Sequence, residues 1–249
     1  MLRTPTVADP APQTTTLTLS QARAVGAALT SRMAPLCEPG RCIVAGSTRR
    51  NKDGHIKDVE VCVIPRREDR LDPADLFGER TVSVNLLHAW AMREAPDEEG
   101  RQCPVRWIKP NTNTLEDWPP DPNGKYWRGL VRHTGVALPV KLDVFLATPE
   151  NWGCILIIRT GSRDFGEALM TFARTRGMRF DDGFLWRQET RLLSAEESDV
   201  FRALGLAYIE PPDRVNDRSL RKAVLTKTQR VIPTGGGRLP RVNTHQCHP

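Results

Sequence analysis

Residues 58–65, DVEVCVIP, constrain the fold more than any other stretch of this chain. Val59, Val61 and Val63 alternate with Asp58, Glu60 and Cys62, the period-2 pattern of a strand with one apolar face, and Pro65 closes it. The valines demand a core beneath them. The two acids are then presented together on the opposite face, because residues i and i+2 of a strand point the same way. Side by side, two carboxylates repel unless a cation sits between them.

The segment just before this strand complements it. Cys42-Ile43-Val44-Ala45 is a short apolar run, and Gly46-Ser47-Thr48-Arg49-Arg50 follows as a turn between two strands. A Gly-Ser turn offers backbone N–H groups and a hydroxyl, and the arginines add charge, so this loop is suited to phosphate oxygens. A third carboxylate has to come from elsewhere, and Asp143, alone in the apolar strand Val140 to Leu146, is the natural candidate. Carboxylates beside a phosphate-holding loop are what a Mg²⁺-dependent phosphoryl or nucleotidyl transferase needs.

The rest of the chain divides around these elements. Residues 1–18 are rich in Thr and Pro without apolar periodicity and read as a disordered arm. Ala22, Val25, Ala28, Leu29, Met33 and Leu36 recur at helical spacing, predicting a helix from Ser20 that ends near Pro35. Ser83 to Arg93 reads as a second helix. Gln102 to Ile108, Tyr126 to Val131 and Val140 to Leu146 read as strands. Helices follow at Pro149 to Ile158 and Asp164 to Arg176, then a strand–turn–strand over Met178 to Gln188 and a helix over Glu196 to Leu204. The expected fold class is α+β: a mixed sheet with flanking helices over 19–148, carrying an insertion near 94–123, then a small α/β unit over 149–214 and a basic flexible tail over 215–249.

Composition excludes several classes of protein. No run reaches the roughly 18–20 consecutive apolar residues of a membrane helix; the apolar run from Cys154 stops at Arg159. The N-terminus has no apolar h-region, so an intracellular protein is expected, in cytoplasm or nucleoid, or in a host cell if viral. The six cysteines include no C-x-x-C pair and read as reduced thiols, and His245, Cys247 and His248 do not make a zinc set. Residues 214–249 carry a net +7 while residues 1–213 come to −1. A neutral body with a basic end points to a polyanionic partner. Trp107, Trp118 and Trp127 cluster around the insertion, where pinning a loop to the core is favoured over stacking on bases. For His88 and His55, structural and loop roles are favoured over catalysis.

AGSTRR followed by DVEVCVI resembles the nucleotidyltransferase signature of the family X DNA polymerases, the group of DNA polymerase beta. KYWRGLV and VKLDVFLA are similar to the strand pair that brings that family's third acid. TPENWGCILIIRTGSRDFGEALMTFARTRGMRFDDGFLW resembles its nucleotide-binding stretch, and SAEESDVFRALGLAYIEPPDR the end of its thumb. The resemblance runs from about Leu19 to Arg214, with a poor match near 94–123. It implies a nucleotidyltransferase palm and a thumb, without the family's N-terminal lyase and fingers domains.

The resemblance also implies roles. Asp58, Glu60 and Asp143 would hold two Mg²⁺ ions, with Mn²⁺ as a substitute, and Asp143 would also be the base for the attacking 3′-hydroxyl. Gly46, Ser47 and Arg50 would hold the incoming triphosphate, with Gly161 and Ser162 as the turn beneath the sugar. Arg214, Arg218, Arg221, Lys222, Lys227 and Arg230 would contact DNA. The reaction would be nucleotide addition to a DNA primer or gap with release of pyrophosphate, in repair or viral replication, by a monomer. The chain departs from the family at Glu60, where the family usually has Asp, at Ile158 and Arg159 in place of an aromatic pair, and at Gly166, Met170, Ile56 and Lys57. Two alternatives stay open: the same fold acting on RNA ends, a protein or a small molecule, and a nucleic-acid-binding module with a decayed site.

Overall fold

The structure, a computed structural model, describes residues 16–225 apart from 73, 76–77, 79, 94–104 and 111–114. Residues 1–15 of the N-terminal arm, most of the basic tail, and Lys227 and Arg230 within it lie outside the described residues; the end of the arm is corrected, since Leu17 is buried and bridges Ile56 and Thr18 caps the first helix.

The chain enters through α1 (Leu19–Met33), begun by a reciprocal capping box between Thr18 and Gln21. Its buried stripe is Ala22, Val25, Gly26, Leu29 and Met33. A 3₁₀ turn over Ala34–Leu36, with Pro35 inside it, ends the helix where the sequence predicts. Then come β1 (Cys37–Val44), the short α2 (Gly46–Arg49) and β2 (Asp58–Pro65). A hairpin of β3 (Arg67–Leu71) and β4 (Thr81–Asn85) leads into α3 (Leu86–Ala91). The strands β5 (Val105–Ile108), β6 (Tyr126–Val131) and β7 (Val140–Leu146) complete the first half.

The main sheet has the order β1-β2-β7-β6-β5. Only the β2–β7 pair is parallel, so the sheet is mixed, as expected. One face carries Val59, Val61, Val63, Leu142 and Val144 against α1. Each such fully buried side chain contributes roughly 1.5–3 kcal/mol. Trp107 and Trp127 pack edge to face in this layer, 5.7 Å apart, and their indole N–H groups donate to the carbonyls of Ala91 and Asp121. Both therefore pin the chain to the core, whereas Trp118 is exposed under Lys109.

The other face is covered on one side only. Cys62, Ile64 and Phe145 pack against Trp152 and Leu156 of α4 (Trp152–Thr160). The next residues of α4 turn the opposite way: Cys154 and Ile157 join a second core with α5 (Arg163–Arg174), the β8–β9 hairpin (Met178–Asp181 and Phe184–Arg187) and α6 (Glu197–Ala203). A two-residue strand, β10 (Thr190–Arg191), extends that hairpin. Helix α4 is thus the joint between the two cores.

Two further expectations are corrected. The helix predicted over 83–93 starts only at Leu86, because Val82 and Val84 continue strand β4 and the Asn85 side chain accepts from His88 N at 3.0 Å to cap the helix. The segment after 214 is not simply a flexible tail: residues 217–223 form α7 (Asp217–Ala223), capped by Asn216, with Leu220 inserted into the second core.

Candidate active site

The parallel β2–β7 register sets Glu60 beside Asp143 and Asp58 beside Lys141. Since Val59, Val61, Leu142 and Val144 go to the α1 side, all three acids stand on the partly open face. Asp143 is the most enclosed, at 6% exposure. Its Oδ1 accepts from the Tyr126 hydroxyl at 2.6 Å and from Arg128 Nε at 3.0 Å. Both donors lie on β6 two residues apart, and the antiparallel β6–β7 register places Arg128 opposite Asp143. Lys141 Nζ sits 3.7 Å from Asp58 Oδ2 and 3.7 Å from Asp143 Oδ2.

Three acids so close perturb one another. Burial, then the charge of Asp143, raises the Asp58 carboxyl, with Lys141 and Arg128 opposing. Glu60 is pushed up to about 7 by burial and by Asp58 and Asp143, against the pull of Arg159 and Arg50. Among the described residues no cage of three or more His, Cys, Asp or Glu is already gathered around a point. The donor chemistry nevertheless fits a hard divalent cation: all-oxygen, anionic, on one face, and under mutual repulsion that such a cation relieves.

Gly46 brings the phosphate-type loop against these acids. Its φ is +62°, and a Cβ there would lie 1.7 Å from Glu60 Oε2. Only glycine permits both the left-handed backbone and this approach. Ser47 follows on α2 and Arg50 caps its C-terminal end. Arg50 Nη2 donates to Ser47 Oγ at 3.0 Å, and its Nη1 donates to the carbonyl of Thr160. The loop and the Thr160-Gly161-Ser162 turn at the end of α4 are thereby brought together. Gly161 allows close packing, since a Cβ would meet the Phe165 ring at 2.6 Å. The Ser162 hydroxyl accepts from Phe165 N at 3.1 Å as the cap of α5 and donates to the Val215 carbonyl, so both its bonds tie the turn to the segments that follow it.

Arg49 fastens the two halves. It grips Glu197 bidentately, Nη1 to Oε1 at 2.7 Å and Nη2 to Oε2 at 2.9 Å, and also donates to Thr160 Oγ1 at 2.9 Å. Arg214 donates to the same Glu197, and the Tyr208 hydroxyl does so at 2.8 Å. Burial alone would raise the Glu197 carboxyl, but the bonds from Arg49 and Arg214 outweigh it and hold it down at about 2.

Arg214 is therefore corrected as a DNA contact. It has no exposed surface and stands over the rings of Phe201 and Tyr208, so its charge is spent inside the molecule. Arg218, Arg221 and Lys222 are exposed on α7, Arg221 paired with Asp217.

Sequence reasoning missed Arg49, Arg128, Tyr126 and Lys141. A signal existed for the last three: polar residues at alternate positions of two apolar strands, Tyr126/Arg128 and Lys141/Asp143, mark one polar sheet face. Nothing local marks the Arg49–Glu197 pair. His88 is half-buried, with Nε2 3.0 Å from the Pro120 carbonyl, and His55 is exposed in its loop.

Residues 155–215 match the family model of the DNA polymerase beta thumb. DNA polymerase lambda of Rattus norvegicus is 30% identical over 86 residues, covering 30% of this chain and 15% of that protein. The DNA nucleotidylexotransferases of Oncorhynchus mykiss and Eulemur macaco are 37% identical over 93 residues and 34% over 95, covering 35% and 37% of this chain and 18% and 17% of theirs. The matched segments thus span under a fifth of these relatives' length. The thumb match and the likeness to these enzymes bear out the resemblance of this chain to the family X DNA polymerases.

Proposed function

We propose that the protein is a Mg²⁺-dependent DNA nucleotidyltransferase of the polymerase beta type, with the mixed sheet as palm and the unit after α4 as thumb. One observation carries this reading: Asp58, Glu60 and Asp143 meet on one sheet face, against a Gly46-Ser47 loop that is joined to a segment matching the polymerase beta thumb.

Asp58, Glu60 and Asp143 would hold the metal ions, which supply charge neutralisation at the reacting phosphate and a more acidic 3′-hydroxyl. Tyr126 and Arg128 occupy Oδ1 of Asp143, which leaves Oδ2 as the oxygen to take the hydroxyl proton. Ser47 and Arg50 flank the phosphates. The bond formed is between the primer O3′ and the α-phosphorus; the bond broken releases pyrophosphate. Arg218 and Lys222 on α7, with Lys227 and Arg230 beyond the described residues, would contact DNA phosphates, which makes binding salt-sensitive.

A primer-extension assay tests the reading, on single-stranded, recessed and one-nucleotide-gapped DNA with Mg²⁺ or Mn²⁺. Nucleotide addition by the wild type that drops at least a hundredfold in D58A and D143A is expected. Folded protein that labels RNA or protein but never a DNA primer would overturn it in favour of another acceptor.

A further inference from the structure

Four arginines surround the acids and the phosphate-type loop, and three are committed. Arg49 spends its guanidinium on Glu197 and Thr160. Arg50 spends both terminal nitrogens on Ser47 and the Thr160 carbonyl and is half-buried. Arg128 is tied to Asp143. Arg159 is different: it is exposed and, among the described residues, makes no hydrogen bond or ion pair. It is nevertheless held, because its guanidinium carbon lies 3.9 Å from the centroid of the Phe145 ring. Contact with an aromatic ring spends none of its N–H donors, which stay available as the fork that matches phosphate oxygens.

Its position fits such a task. Arg159 directly precedes Thr160, the residue Arg50 bonds, and its charge acts on Glu60 without forming an ion pair with it. With Phe145, Tyr126 and Ile158 it lines a cavity of about 750 Å³ whose walls do not include the three acids; the link to them is Tyr126, which stacks on Phe145 and donates to Asp143 Oδ1.

We propose that Arg159 is the guanidinium that grips the phosphate oxygens of the incoming nucleotide, its free donors adding to the Ser47 hydroxyl and to the charge that Arg50 supplies from its fixed place. The assignment rests on the nucleotidyltransferase reading above and names a specificity-determining residue for that site. It predicts that the polyphosphate, rather than the sugar or base, depends on this side chain.

The test is equilibrium binding to the full chain in Ca²⁺, which avoids turnover, with a deoxynucleoside triphosphate, the monophosphate, the nucleoside and a short recessed duplex as separate probes. The exposed position lets R159A and R159K fold, which melting curves check. R159A is expected to weaken the triphosphate about tenfold to a hundredfold, as for a charge-assisted contact. R159K, which keeps the charge without the fork, should recover part of that loss, and nucleoside and duplex affinities should not move. Unchanged triphosphate binding by R159A, or a loss that falls equally on the nucleoside or on the duplex, overturns the assignment and leaves the nucleotidyltransferase reading standing. Folded wild type that binds no triphosphate overturns both.

Discussion

Gly46 and Glu197 show how single residues hold this site in place. At Gly46 a Cβ would enter the Glu60 carboxylate, and the positive φ adds strain of about 1–3 kcal/mol for any other residue. G46A should therefore lower the melting temperature by several degrees and cut nucleotide addition at least tenfold, since Glu60 must move; a melt and a single-turnover assay check both. Glu197 carries a pH dependence. Its carboxyl lies at about 2 in the fold against 4.5 ordinarily, so the folded state favours the ionised form. That stabilisation, about 3 kcal/mol, is complete above pH 4.5 and is lost as pH falls towards 2. E197Q should be less stable than wild type by about that amount at pH 7, with the gap closing in denaturant titrations run at successively lower pH between 4.5 and 2. A constant gap would refute the linkage.

Elements differ in how openly the sequence announces them. Strands β6 and β7 fall on the residues predicted for them, and α1 ends at its proline, because in each the local pattern and the tertiary burial agree. The β3–β4 hairpin was not legible: REDRL is charged and mostly exposed, and only cross-strand pairing makes it a strand. Helix α7 hid for a similar reason, being polar with one buried anchor, Leu220 at 2% exposure. L220A should cost about 2–4 kcal/mol, read as a shift of the chemical denaturation midpoint. The acids of the site were legible through their i, i+2 spacing and Asp143 through its isolation in an apolar strand. The donors that orient Asp143 and the Glu197 clasp were not, because hydrogen-bond partners far apart in sequence leave no periodic trace.

At the scale of the molecule, two hydrophobic cores share α4 and are clasped by Arg49, which crosses from α2 to α6. R49A leaves Glu197 its bonds from Arg214 and Tyr208, so the second core keeps its own ion pair while the clasp is lost. Calorimetry should then show the unfolding endotherm broadened or split, and proteolysis between Ala147 and Asn151 should quicken several-fold. An unchanged single transition would place the coupling in α4 alone.

The parallel pairing of β2 with β7 has a kinetic consequence. Everything from residue 66 to 139 must be looped out before Glu60 can meet Asp143. Loop-closure entropy grows only logarithmically, about 0.6 kcal/mol for each doubling of length, so that excursion can lengthen or shorten over evolutionary time at little thermodynamic cost. Its effect on rate is larger, because distant strands pair slowly. On the ribosome, a chain that has not yet emerged past Leu146 can form α1 and the β1–β2 hairpin but has no third acid. The carboxylate cluster is therefore among the late events of folding, and a nascent chain carries no complete site until its middle strand has slotted in.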